Sequence, residues 1–245
     1  MRGVPQPGPW APHPVAHDAA DREPALSSAL CDPVRHPFRA CRRGAPALRS
    51  QARPSPGGTV STLVVLCHPV PESFVAAVAA QVVETLDDAG GEPQLLDLYA
   101  DGFSPTDADT VTVAAHQEAL SAAGALVLVY PTWWSGLPAM LTGWLEHVVA
   151  GGSTPRPGRP ETTAASRELL ANLRYVAAVT SHGSSKFVNV VQGEAGMHFL
   201  RRSLHPLCPA HCRLRWLAFY DSDRSSMADR QAFLARVDRR LRSLV

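Results

Sequence analysis

The stretch Ala125–Val149 reads ALVLVYPTWWSGLPAMLTGWLEHVV. Its first six residues are a continuous aliphatic run, the pattern of a strand covered on both faces, as in a parallel sheet. A loop follows directly, PTWWSGLP, with two adjacent tryptophans and a glycine that lets the backbone approach a neighbour closely. Pro138 stands where a proline opens a helix, so Ala139–Val149 is expected to be helical from that N1 position. Two tryptophans in a connection are costly to leave in water. They serve a flat aromatic ligand, or they plug the core or a dimer interface.

Outward from this unit the same alternation repeats. Thr62–Cys67 is a second buried strand, and Ser73–Ala89 a helix with Phe74, Val78, Val82 and Leu86 at four-residue steps. Gly90 and Gly91 stop it. Pro93–Leu98 reads as a strand and Asp107–Ala122 as a helix. After a loop at Gly151–Pro160 come a strand at Arg174–Ser181, a less regular helical stretch within Asn189–Leu204, and a strand at Arg213–Tyr220. The closing helix, Ala228–Leu244, carries Phe233, Val237, Leu241 and Leu244 on one face. Five strands alternating with helices define a doubly wound α/β domain with a five-stranded parallel sheet. In such sheets ligands lie outside the carboxyl ends of the strands, at the point where strand order reverses. The residues of interest are therefore Cys67–Phe74, Pro131–Gly136, Thr180–Lys186 and Tyr220–Arg224.

Composition bounds what the domain does. The chain has 245 residues, is 18% charged and carries a formal net charge of +1, which favours neither nucleic acid nor an acidic scaffold. No apolar run reaches the ~18 residues of a membrane span. The first fifteen residues lack the apolar stretch of a secretory signal, and five scattered cysteines read as reduced thiols, so a cytoplasmic protein is expected. Residues 1–58 differ from the rest. They hold 11 of the 22 prolines and a local charge of +4, and they are expected to be a disordered Pro/Arg-rich extension to a domain at 59–245. The chain uses 22 arginines and one lysine, Lys186, and VSTLVVLCHP at Val60 reads as the ordinary start of a first strand. Translation is therefore expected to begin near Val60. Intact mass of the natively expressed protein checks this, and a mass that includes Met1–Thr59 contradicts it.

Candidate chemistry is sparse. CHPVPESF (67–74) ends at a helix mouth, where free N–H groups and a partial positive charge suit phosphate. Ser73 reads equally well as a plain N-cap. Neither a G-x-G-x-x-G fingerprint nor a P-loop occurs. HPLCPAHC (205–212) matches no standard zinc spacing, and no metal is expected. The arginines of the last helix read as a solvated face.

Three segments together, CHPVPESF, LLDLYADGFSP and VLVYPTWWSGLPAMLTGWLEHV, resemble the NAD(P)H:quinone oxidoreductase family of the flavodoxin-like superfamily. The resemblance runs from about Thr62 to the C-terminal helix. It implies a flavodoxin-like sheet carrying a flavin, FMN or FAD, with NAD(P)H as co-substrate and a quinone-like acceptor. By position, His68, Ser73 and Phe74 fall on the phosphate loop. Pro131, Thr132, Trp133, Trp134 and Gly136 fall along the isoalloxazine edge. Thr180, Ser181, His182 and Gly183 fall on a turn that is Thr-Thr-Gly-Gly-like in the family. Val75 stands where the family often has Asn, and His182 where it has a small or aromatic residue. His182 and Tyr130 are the candidate proton relays, with His68 as a further one. The resemblance also implies a homodimer. Its other branches are an NAD(P)H-sensing ancillary subunit of a membrane transporter and a flavodoxin-like electron carrier.

Overall fold

The computed structural model describes residues 60–152 and 160–242. The expected disordered extension at 1–58 lies outside the described residues, as does most of the loop expected at Gly151–Pro160. Strands β1 (Ser61–Leu66), β2 (Glu92–Asp97), β3 (Ala125–Pro131), β4 (Tyr175–Ser181) and β5 (Arg213–Phe219) alternate with helices. These are α1 (Phe74–Asp88), α2 (Thr110–Ala122), α3 (Ala139–Trp144), α4 (Pro160–Leu169), α5 (Lys186–Val191), α6 (Ala195–Phe199) and α7 (Met227–Leu241).

The sheet is parallel throughout, in the order β2-β1-β3-β4-β5. The order reverses between β1 and β3, which fixes the switch point. Alternate residues of each strand feed two cores. Val64, Leu66, Val127, Val129 and Val179 pack under α1 and α7, against Val78, Val82, Phe233 and Val237. Leu63, Val65, Leu126, Leu128 and Tyr130 pack on the other face, against Leu120, Leu141, Trp144 and Leu200. This double coverage is why the inner strands β1 and β3 are apolar at nearly every position, while the edge strands β2 and β5 carry polar and charged residues.

Departures from expectation are local. Pro138 is the residue before the helix, with extended ψ, and α3 starts at Ala139. Asp109 caps α2, its carboxylate accepting from the Val111 and Thr112 N–H groups, so that helix begins later than expected. α3 and α6 each run on into a π-helical turn, Leu145–Val149 and Leu200–Leu204. Helix α4 carries no apolar stripe for sequence reading to find. Its Ser166 is buried and donates to the Val149 carbonyl at 2.7 Å. Among the described residues no helix is long and apolar enough to cross a membrane.

A buried histidine sits in the second core. The indole N–H of Trp144 donates to His116 Nδ1 at 3.2 Å, and Phe103 stacks on the imidazole. This bond exists only when Nδ1 is bare. Burial holds His116 below its ordinary value, and His182 likewise. The unfolded chain therefore binds more protons below about pH 6.5, where a free histidine titrates, and stability falls as pH falls through that window while staying flat above it. Urea titrations at about pH 7.5 and pH 5.5 are expected to show the lower midpoint at the lower pH, and His116→Gln to shrink the difference. Equal midpoints in the wild type contradict this.

Candidate active site

Three connections meet at the carboxyl ends of β1, β3 and β4. In the first, the Val70 N–H donates to His68 Nδ1 at 3.0 Å and fixes the loop. Ser73 caps α1, its hydroxyl oxygen accepting from the Ala76 N–H at 3.1 Å. The capping role is thus realised. The N–H groups of the first turn that Ser73 does not take have no acceptor within the helix. There is no acidic side chain in that turn to compete for them.

The arginines of α7 do not all form a solvated face. Arg230 stands over the Phe74 ring at 5.4 Å, held by a bond from its Nε to Ser225 Oγ at 3.0 Å. A guanidinium thus stands beside the mouth of α1. Arg236 donates to the Ala218 carbonyl and lies over Phe233. Arg230 was missing from the sequence-derived site because it lies more than 150 residues from Phe74 in the chain. The local signal, an arginine early in the last helix, is indistinguishable from surface charge.

The second connection is anchored to the third. The Thr132 N–H donates to the Ser181 carbonyl at 2.7 Å, and the Thr132 and Thr180 hydroxyls share a bond at 2.9 Å. Trp133 and Gly136 exchange backbone bonds across a two-residue turn. Both central residues have positive φ, Trp134 at 49° and Ser135 at 61°. That pair of angles defines a turn usually built from Asn-Gly, and for tryptophan and serine it stores strain. The turn holds Trp134 102% exposed. Trp133 is partly exposed, its indole 6.1 Å from the His68 ring, which joins the first and second connections.

The third connection is organised by His182. Its Nδ1 donates to Asn189 Oδ1 at 2.7 Å, while the Asn189 amide donates to the Ser184 and Ser185 carbonyls. This fixes the neutral tautomer with the proton on Nδ1 and leaves Nε2 facing Thr132 Oγ1 at 3.4 Å. The ring stacks on Tyr220, whose hydroxyl donates to Glu194.

Of the three expected relays only His68 is partly open to a ligand. His182 is 3% exposed and Tyr130 is fully buried, its hydroxyl without a partner. Desolvation pushes the Tyr130 phenol well above its usual range. Tyr130 lies in β3 as expected, and its side chain turns into the core beside Gly196 and Trp216. Pro131, expected in the loop, is the last residue of that strand. Pro131 and Thr180 are buried as well, because both lie within strands covered on two faces, whereas His68, Ser73, Phe74, Thr132, Ser181 and Gly183 are partly or fully exposed.

A void of about 10 Å³ lies between α1 and the ends of β3 and β4, lined by Phe74, Val75, Val78, Thr180, Ser181 and Phe233 among others.

A doubly wound sheet of order 2-1-3-4-5 with its site at the β1/β3 switch point defines the class. The family model of the flavodoxin-like fold, Flavodoxin_2, matches residues 61–244, and the chain belongs to that family. It is 30% identical over 162 residues to NAD(P)H dehydrogenase (quinone) 1 of Rattus norvegicus, an alignment covering 55% of this chain and 57% of that protein. The chain spans about half the length of the curated relatives it matches. Among solved structures, NAD(P)H:quinone oxidoreductase from Methanothermobacter marburgensis superposes with a TM-score of 0.59 at 20% identity, over 76% of this chain and 98% of that one. An FMN-dependent NADH-azoreductase from Bacillus anthracis in complex with FMN superposes with a TM-score of 0.54 at 12% identity, over 76% and 99%. At these identities the two structures share the fold with this chain.

Proposed function

We propose that the chain is a flavin-dependent oxidoreductase that takes hydride from NAD(P)H and reduces a quinone-like acceptor. The observation that carries this is the convergence of the loops at Cys67–Phe74, Pro131–Gly136 and Thr180–Gly183 on the switch point. There an uncontested helix mouth suits a phosphate, and an aromatic wall suits a planar ring. The residues present fit a flavin phosphate: bare first-turn N–H groups, the Ser73 hydroxyl, no acid in the first turn, and Arg230 beside Phe74. When bound, the flavin supplies the two-electron chemistry, and the protein supplies orientation and electrostatics.

Each segment has its part. His68, Ser73 and Phe74 hold the phosphate end. Pro131, Thr132, Trp133, Trp134 and Gly136 line the ring edge, with Thr180, Ser181 and Gly183 beneath it. Because His182 is enclosed, its role is positioning: it presents Nε2 to Thr132 and ties that loop to α5 through Asn189. Tyr130 braces the same loop from the core side. Both move from proton relays in contact with substrate to supports behind the cleft, burial being the reason.

A purified protein is expected to be yellow, or to become so with FMN or FAD, and to oxidise NAD(P)H with a benzoquinone. Protein that stays colourless with both flavins overturns the reading. One-electron traffic without NAD(P)H oxidation marks a carrier instead, and copurification with a transporter marks the ancillary-subunit branch.

The apolar face beside the tryptophan turn also supports a homodimer. Trp134, Phe187, Val190 and Val191 are all exposed, and Ser135 contacts Gln192, so the strained turn and α5 stand side by side. A second copy set across a two-fold axis covers this apolar face, and the site beside it is then shared between two subunits. Trp134→Gly relieves the positive φ while deleting the indole. Thermal stability of the subunit is expected to hold or rise, while dimerisation and NAD(P)H oxidation fall together in a dilution series monitored by light scattering. A monomeric wild type with concentration-independent turnover contradicts the shared site.

A further inference from the structure

Strand β5 is an edge of the sheet, paired on one side by β4. The Arg213 N–H donates to the Arg174 carbonyl at 2.8 Å, and the His182 N–H donates to the Phe219 carbonyl at 2.7 Å. In a parallel ladder this register turns the backbone groups of Arg213, Arg215, Leu217 and Phe219 toward β4, and those of Leu214, Trp216 and Ala218 outward. Arg236 Nη2 donates to the Ala218 carbonyl at 2.6 Å and closes that position. The N–H and C=O groups of Leu214 and Trp216 have no protein partner among the described residues. The strand is open there: Arg213 is exposed, Leu214, Arg215 and Trp216 are half-buried, and burial is complete only from Leu217 on. The charge around this edge has one sign. From Ala195 to Tyr220 the chain carries four arginines, three histidines and no acid. Strand parity sets Arg213 and Arg215 on the face of Leu217 and Phe219, under α7, and Leu214 and Trp216 on the other face. Helix α7 runs antiparallel to β5, since Phe233 packs on Phe219 and Arg236 reaches Ala218. Arg240 follows Arg236 by one turn, toward the amino end of the strand. Asp238 is turned the other way, to Thr85 of α1 and to Arg242.

We propose that the outer edge of β5 is a docking surface for an extended acidic segment of another protein, which adds to the sheet as a further strand. Only a peptide backbone supplies acceptors for the Leu214 and Trp216 N–H groups together with donors for their carbonyls. Alternate side chains of the added strand then stand beside Arg213 and Arg215, where carboxylates pair with the guanidinium groups. The side chains between them lie beside Leu214 and Trp216, where aliphatic groups fit. The recognised pattern is therefore an alternation of acidic and apolar residues. A second copy of β5 lacks it: arginines meet arginines, and like charge on an open edge opposes self-pairing. The open groups lie toward the amino end of β5, and the candidate cleft lies at the carboxyl ends of the strands, so this surface is available with or without a flavin.

The probe is a labelled synthetic peptide of about ten residues in which glutamate and valine alternate, a length typical of a long strand. Its control replaces each valine by proline, which keeps the charge and removes half of the N–H groups. The full chain is titrated with each by fluorescence anisotropy, and hydrogen exchange is read by NMR at the Leu214 and Trp216 amides. The glutamate–valine peptide is expected to bind and to slow exchange at both amides, and the proline peptide to bind about tenfold more weakly. Arg213→Glu combined with Arg215→Glu is expected to weaken the first peptide about tenfold and to bind a lysine–valine peptide instead. Three results in the wild type overturn the proposal. One is no binding of the glutamate–valine peptide. Another is equal binding of both peptides, or binding that leaves the two amides unprotected, which is the behaviour of plain charge attraction and is what a single-stranded oligonucleotide would also show. The third is full protection of both amides in the free chain, unaltered by peptide, which means that the edge is already covered. Exchange in the wild type decides the matter even where the charge-reversed variant fails to fold.

Discussion

Gly143→Ala is expected to lower the melting temperature by roughly 5–10 °C, from a loss of about 2–3 kcal/mol in a domain of this size. On local grounds the opposite sign is expected, because alanine is the better helix former by about 1 kcal/mol. Gly143 lies inside α3, buried against the loop that joins β2 to α2. A Cβ there meets the Pro105 Cβ and carbonyl oxygen at 2.5 Å and its Cα at 2.6 Å. Two of those atoms are main chain and the third is in a rigid ring, so no side chain can swing away. Either α3 or the loop must shift, and α3 carries Leu141 and Trp144 into the core directly after the tryptophan turn. Flavin binding is expected to weaken alongside stability. Gly183→Ala makes the contrast: its Cβ meets the Asp223 carboxylate at 2.6 Å, the free end of a side chain that can turn aside. Calorimetry on both variants checks the argument, and a Gly143→Ala protein as stable as the wild type removes it.

Ser73→Asp is expected to raise the flavin dissociation constant about 5- to 150-fold, or 1–3 kcal/mol, with the fold intact. Aspartate is as good an N-cap as serine and still accepts from the Ala76 N–H. Its charge is favourable at a helix start in the empty protein. The same charge faces the phosphate once flavin binds, so stability and affinity move in opposite directions. Ser73→Ala is the control: it loses the cap, at about 1 kcal/mol of stability, without adding a charge. Fluorescence titration with FMN and FAD measures all three proteins. Unaltered affinity in Ser73→Asp places the phosphate elsewhere than at the mouth of α1.

Most of the architecture follows from local pattern. β1, β3 and β4 are legible from their apolar runs and α1 from its four-residue period, because a doubly covered strand and an amphipathic helix impose their periods on the residues themselves. The placing of the candidate site at the strand ends also follows, since it depends only on strand–helix alternation. Other features depend on residues far apart in the chain. The burial of Tyr130 and His182 is set by Gly196, Trp216 and Tyr220, which arrive from α6 and from β5 and its carboxyl end. Arg230 reaches Phe74 only because α1 and α7 pack side by side on the same face. The positive φ at Trp134 and Ser135 runs against the preference of both residues, so no propensity announces it; the backbone bonds between Trp133 and Gly136 enforce it. Periodicity is a property of single elements and is written in the chain. Burial, charge placement and strain are properties of pairs of elements, and they exist only once those elements pack.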